Sequence, residues 1–344
     1  MTFAIEAHKD LTGFTVEWAE PGNYVLSRRN EIFRSADLKP PFEKISAVRA
    51  PAWKRALSRS RAGQRFLRFM VTNVLPLKNG ERFVTFDKTV GIERDSKFRE
   101  LKGLIRPCRV LRSACAEDNG GNVFFGEYLA NDDRGVMRVY KYAPGEDYLS
   151  VLHEFPAGSI KHIHGLYFDE FSGYLYCLTG DDDHECRIVR TNDEFATTEI
   201  VGSGDETWRA VSMIFTEQAI YYGMDAEYRK NQIFRLDRTT FERTVIGEVS
   251  GTVFYSKRMG DDLFFTTTAE NAPAQTENVA AIWHVDADGR LDEMIKFKKD
   301  RWHPTLFQFG TIHFPNGPGT GDELLFHLVG VEGDNRSFRI YRTS

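Results

Sequence analysis

The chain has 344 residues and sets 45 Lys plus Arg against 50 Asp plus Glu, a formal charge of −5. That balance excludes a generally basic, nucleic-acid-coating protein, and 41 % hydrophobic with 13 % aromatic residues excludes a disordered one. No stretch approaches the roughly 20 apolar residues of a membrane helix. The opening residues, MTFAIEAHKDLTGF, lack the basic and apolar regions of a secretory signal, so a cytoplasmic protein is expected. Cys108, Cys115, Cys177 and Cys186 match neither C-x-x-C nor zinc-ribbon spacing and read as reduced, mostly buried thiols.

In chain order, a short apolar strand over Phe3 to Ala7 comes first, and after it one cadence recurs. Each unit has an apolar strand, a turn, a second apolar strand, a third strand carrying Arg, and a fourth short run. Four strands in about 45 residues is the size of a propeller blade. Weaker copies cover residues 14 to 48 and 68 to 101. Between them, residues 49 to 69 break the pattern: Arg49, Lys54, Arg55, Arg59, Arg61, Arg65 and Arg68 stand there with no acid. This local charge of +7, taken from −5, leaves −12 on the rest. The segment reads as a helical or irregular insertion between blades. It is either a solvated excursion that neutralises an acidic body or, through Trp53 and Phe66 among its cations, a peripheral contact with an anionic membrane.

The third unit spans Arg112 to Phe155, with strands at Asn122 to Glu127 and Met137 to Lys141. The two clearest copies follow. His164-Gly-Leu-Tyr-Phe-Asp to Asp181 aligns with Arg209-Ala-Val-Ser-Met-Ile-Phe to Asp225, each second strand closing on Gly and an acid, and the third strands start at Arg187 and Gln232. Thr252 to Phe297 and the degenerate 307 to 342 complete seven candidate units, six remaining open because the outer repeats are weak. No long 3.6-residue periodicity appears, which disfavours an α/β fold. The expectation is a single all-β propeller over 1–344, with Phe3 to Ala7 completing the last blade and protecting its edge.

Two turns between third and fourth strands carry a resemblance. Ser35-Ala-Asp37-Leu-Lys-Pro-Pro-Phe42 and Thr191-Asn-Asp193-Glu-Phe-Ala-Thr197-Thr198 keep hydroxyl, Asp and a later aromatic or Thr. They resemble the Asp-box turn, Ser-x-Asp-x-Gly-x-Thr-Trp, of sialidase-like propellers, with Gly lost from both. Physically, the Asp can bond N–H groups of its own hairpin, which makes the turn a staple of the fold. The resemblance implies a sugar site at one end of a central channel. The family's arginine triad, Tyr nucleophile with Glu partner, and Asp acid/base cannot be placed as a complete set here.

The repeat alignment sets Arg112, His164 and Arg209 at corresponding first-strand positions, so they are expected at one channel mouth. Two guanidiniums and an imidazole there suit a carboxylate-bearing sugar; the bland alternative pairs each Arg with a neighbouring acid. His162 and His164 share one strand face. They can ligate a metal only with two more ligands, for which His303, His313 and His184 are the histidines considered; no tight spacing joins them, and no metal or cofactor is assigned. His164 is the expected proton-transfer group. Glu127, Asp181 and Asp225 end second strands near the same rim, where paired carboxylates serve glycoside hydrolysis and lone ones cap turns. Tyr255 is expected to face the channel, as a lyase base partner or a nucleophile. Trp208 and Trp302, the latter beside His303, are sugar platforms or core residues. The expected function is a carbohydrate-active propeller acting on an acidic oligosaccharide or polysaccharide, as glycoside hydrolase or polysaccharide lyase. Asp225 and Tyr255 assist His164, with Arg112, Arg209, His162, Glu127, Asp181, Trp208 and His303 on substrate. The alternative is a non-catalytic glycan-binding or scaffold propeller of a polysaccharide assembly. No nucleic-acid partner is expected.

Overall fold

A computed structural model describes residues 2–343, and these form seven four-stranded antiparallel sheets, six of them built from consecutive strands of the chain. The all-β propeller is therefore seven-bladed. Blades 1 to 6 begin at Thr15, Val71, Cys115, His162, Ala210 and Val253 and end at Ala47, Glu100, Phe155, Ser203, Glu248 and Lys298. Blade 7 combines Thr311–His313, Glu323–Val329 and Ser337–Thr343 with the N-terminal strand Thr2–Ala7, which pairs antiparallel with Ser337–Thr343 from Thr2↔Thr343 to Ala7↔Phe338. First strands of neighbouring blades pack on one another from blade 1 to 2 and successively from blade 3 to blade 7.

Alternation decides which residues hold the ring together. Each sheet buries apolar side chains on both faces, and one hydrophobic cluster lies between every adjacent pair of blades, seven clusters for seven interfaces. The Gly that closes second strands has a packing cause. A Cβ on Gly126 would lie 2.5 Å from the Ile163 Cβ, and one on Gly223 would lie 2.5 Å from the Val253 Cβ. These glycines let the inner strand of the next blade approach.

The turns that resemble Asp-boxes act as staples. Asp37 Oδ1 accepts the Lys39 N–H at 3.1 Å, while Asp193 accepts the Thr197 N–H at 2.9 Å and its hydroxyl at 2.6 Å. Asp237 and Asp286 occupy the same loop in blades 5 and 6 and accept backbone N–H groups in the same way. The four cysteines are free, three of them buried.

The insertion folds as two short helices, α1 (Ala52–Leu57) and α2 (Arg61–Phe66), and α2 packs on a third short helix, α3 (Pro304–Phe307), of the blade 6 to blade 7 connection. Its cations divide by role. Arg61 binds Asp334 through two 2.7 Å hydrogen bonds, Lys54 reaches Asp87 at 3.2 Å, and fully buried Arg65 pairs with Asp300 beneath the Trp302 ring. Among the described residues, Arg49, Arg55 and Arg59 have no ion-pair partner and are exposed. Arg68 turns inward. No helix of the described residues is long and apolar enough to cross a membrane.

Candidate functional site

First strands leave one end of the channel and second strands return to it, so residues preceding the former and following the latter collect at one mouth. Arg112, His162, His164, Asp181, Arg209 and Asp225 all stand there. The insertion and α3, as links between fourth and first strands, lie at the same end.

Two constellations result. Around Asp181, the His162 Nε2 lies 3.1 Å, the His164 Nε2 3.6 Å and the Arg209 Nη2 3.1 Å from Oδ1, and the Lys161 Nζ lies 3.2 Å from Oδ2. Burial would raise the Asp181 carboxyl, but these cationic and imidazole neighbours hold it far below the usual carboxylate range. Oδ1 is nonetheless buried without a hydrogen bond. Burial pushes His164 down to about 4, and its Nδ1–H donates to the Ala210 carbonyl at 3.0 Å, so the ring is neutral at pH 7. Arg209 donates from Nε to Asp225 at 3.1 Å and from Nη2 to Glu227 at 3.3 Å. Asp225 is raised well above a normal Asp by burial, which Arg209 offsets only in part; Glu270 is pushed up to about 7, again chiefly by burial. Too many carboxylates meet one guanidinium for all to ionise, so the group keeps a proton near neutrality.

The second constellation lines the channel. A cavity of about 140 Å³ is walled by Arg68, Arg109, Arg112, Tyr128, Tyr255 and His313, among others. It adjoins an open recess of about 410 Å³ that Arg68 shares with Glu227, Glu270 and Phe309. Arg68 has no ion pair and no side-chain hydrogen bond among the described residues; burial, then Arg109, pulls its pKa down. Its backbone is left-handed, φ 50°, a conformation that costs a non-glycine residue energy and recurs at functional sites. Tyr128 joins the two constellations, since its ring lines the cavity and packs 4.3 Å from that of His162.

The structure brings His162, His164, Asp181, Arg209 and Asp225 into direct contact. It engages the other predicted residues elsewhere. Arg112 is buried and ion-paired to Glu17, with a further 2.7 Å hydrogen bond to the Val71 carbonyl, although it lines the cavity. Glu127 is fully buried and held by Arg106 at 2.7 Å and by the Tyr140 hydroxyl at 3.1 Å. Tyr255 forms channel wall, edge-on to His313 at 4.9 Å, its phenol pushed up to about 12 by burial. The Trp208 ring is covered by the Arg243 guanidinium at 3.8 Å and stacks on Tyr222. His303 is exposed at the start of α3, and Trp302 packs on Arg65 and Phe307.

Arg68, expected only as a cation of the insertion, and Tyr128 and Glu270 are not among the residues the sequence assigns to the site, although register points to two of them. Arg68 precedes the first strand of blade 2 by three residues, as Arg112 precedes that of blade 3. Glu270 follows its second strand by three residues, as Glu227 does.

No family model matches the chain, and no curated protein is significantly similar to it. Solved structures share its shape. An oligogalacturonate lyase in complex with manganese matches with a TM-score of 0.59 at 7 % identity, covering 100 % of this chain and 97 % of that one. A chain of a mitotic checkpoint complex matches with a TM-score of 0.60 at 10 % identity, covering 99 % and 93 %. A prolyl endopeptidase matches at 0.58 and 9 %, covering 93 % of this chain, which spans 46 % of that one. At such identities the fold alone is shown.

Proposed function

We propose that the channel mouth binds an acidic oligosaccharide and cleaves it, with Arg68 as the carboxylate anchor and the Glu270 and Asp225 pair as the proton source. The observation that carries this reading is Arg68, a guanidinium with no ion-pair partner among the described residues, held in a strained backbone inside a recess that it shares with Glu227 and Glu270. A free guanidinium offers two parallel donors to a uronate or nonulosonate carboxylate. A carboxyl pushed up to about 7 is matched to protonating a glycosidic oxygen near neutrality, and the neighbouring Glu227 side chain in the same recess can direct water to the anomeric carbon. Relative to the sequence expectation, the anchor moves from Arg112 and Arg209, whose guanidiniums already hold acids, to Arg68.

Elimination is the second reading, supported by the neutral imidazole of His164 as a base beside cations and by the likeness to an oligogalacturonate lyase. The stapled turns support a distant kinship with sialidase-like propellers. Incubation with uronate- and nonulosonate-containing oligosaccharides separates the chemistries, because elimination creates an unsaturated product absorbing near the ultraviolet edge and hydrolysis a new reducing end. Glu270→Gln should lower turnover at least a hundredfold while retaining binding. An unchanged rate in that variant would remove the proton source assigned here.

The outer face of the insertion supports a setting for this activity at an anionic membrane surface. Trp53, Leu57, Phe66 and Leu306 are 59 %, 46 %, 53 % and 53 % exposed, and unpaired Arg49, Arg55 and Arg59 flank them. Apolar side chains beside free cations match an acidic lipid surface. Sedimentation with phosphatidylserine vesicles should bring the protein down at low salt and release it at high salt; no sedimentation at low salt would refute the membrane contact.

A further inference from the structure

We propose that His162, His164 and Asp181 form a binding site for one first-row divalent cation, with His162 Nε2, His164 Nε2 and Asp181 Oδ1 as its ligands. The inference is independent of the acidic-sugar reading. Geometry comes first. One ligand atom from each residue lies within 4.8 Å of the others, and the two imidazole nitrogens approach Oδ1 to 3.1 and 3.6 Å. A cation with bonds of roughly 2.0–2.2 Å places neighbouring ligand atoms about 3.0–3.6 Å apart, so little movement is needed.

The proton arrangement agrees. A carbonyl oxygen can only accept, so the His164 Nδ1, 3.0 Å from the Ala210 oxygen, carries the proton. The Nε2 is then the ring atom that faces the carboxylate oxygen, at 3.6 Å. An imidazole fixed through one nitrogen by a backbone carbonyl, with the other left to donate, is the arrangement that metal-ligating histidines adopt. Asp181 Oδ1 itself is buried without a hydrogen bond at this meeting point.

Arg209 and Lys161 also approach Asp181 and oppose a further cation there. Arg209, however, faces four carboxylates, those of Asp181, Asp225, Glu227 and Glu270, and Lys161 is shared with Asp132. The cluster therefore has negative charge to spare, and Arg209 keeps Asp225 and Glu227 as partners when Oδ1 turns to a metal. Two imidazoles and one carboxylate on a divalent ion leave coordination positions free, in the pattern used by first-row metals that act on a substrate or on water. The Tyr128 ring, packed on His162, is the partition between this site and the channel cavity.

Metal-stripped protein titrated with Mn²⁺ should remove one equivalent of the free-ion electron paramagnetic resonance signal, and Zn²⁺ should give a one-to-one calorimetric isotherm. Asp181→Asn, which keeps the side-chain size, and His164→Gln should each weaken binding at least tenfold. His184→Ala, on an exposed turn nearby, should bind as the wild type does. Absence of a saturable equivalent for Mn²⁺, Ni²⁺ and Zn²⁺ in the wild-type protein would overturn the proposal without recourse to any variant; so would wild-type affinity in folded Asp181→Asn. No sugar enters the experiment, so its failure and the failure of the acidic-sugar reading are separate results.

Discussion

Arg112 and Arg209 stand three residues and one residue ahead of the first strands of blades 3 and 5, and both are buried, yet their electrostatic surroundings are opposite. Arg112 meets one acid, Glu17, which is itself fully buried and also accepts the Ser27 hydroxyl at 2.5 Å, so the pair is closed and neutral. Arg209 meets Asp181, Asp225, Glu227 and Glu270 and cannot neutralise them. The connections entering two inner strands thus each bury an arginine at the same mouth. The acids around it decide whether the result braces the ring or leaves a proton and a charge for chemistry.

The largest expected effect tests the closed pair. Arg112→Ala leaves the Glu17 carboxylate buried without a cation and should cost about 3–5 kcal/mol in chemical denaturation. Arg209→Ala should cost less at pH 5, because its carboxyls can take up protons, and its deficit should grow as pH rises. Equal, pH-independent losses in the two variants would erase the contrast between the sites.

Next in size is the slope of stability with pH. Glu270 is raised from 4.5 to about 7, so the folded state binds its proton more tightly than the unfolded chain does. That stability is fully present below pH 4.5 and is lost as pH rises through about 7, of order 3 kcal/mol at most. Glu270→Gln should flatten this part of the curve when unfolding is followed from pH 5 to 8. Retention of the full slope would assign it to another group.

A smaller effect concerns packing away from both arginines. Gly126→Ala drives a methyl group against Ile163 between blades 3 and 4 and should cost about 1–3 kcal/mol, whereas Gly145→Ala, which meets nothing within 4 Å, carries only the penalty of its positive φ. The smallest change is expected on the outer insertion. Reversing Arg49, Arg55 and Arg59 to Glu should alter stability by no more than about 0.5 kcal/mol at each site while abolishing vesicle sedimentation. Sedimentation that persists would detach those cations from any lipid contact.

The blades were legible in the sequence because local alternation fixes a strand and its hairpin partner, as in the third strand Gln232–Asp237 and the closing strand Thr2–Ala7. The convergence of His164, Asp181, Arg209 and Asp225 was legible too, since it follows from register within two adjacent strong repeats. Partner choice was not. Glu17 lies 95 residues from Arg112 and Asp334 lies 273 from Arg61, separations that only closure of the ring brings together. Asp181, by contrast, follows the strand hairpinned to that of His162 and His164, so its place beside both imidazoles is a local consequence of register, although histidines alone stand as candidate ligands in the sequence.

Arg68 is proposed as the residue that holds the carboxylate of an acidic sugar at the channel mouth. Calorimetric titration of wild-type protein and Arg68→Ala with one oligouronate, and with its neutral, carboxyl-reduced counterpart, tests it most directly. Saturable heat for the acidic ligand alone, lost in Arg68→Ala at unchanged melting temperature, is the predicted result; equal binding of both ligands, or wild-type affinity in the variant, would contradict it.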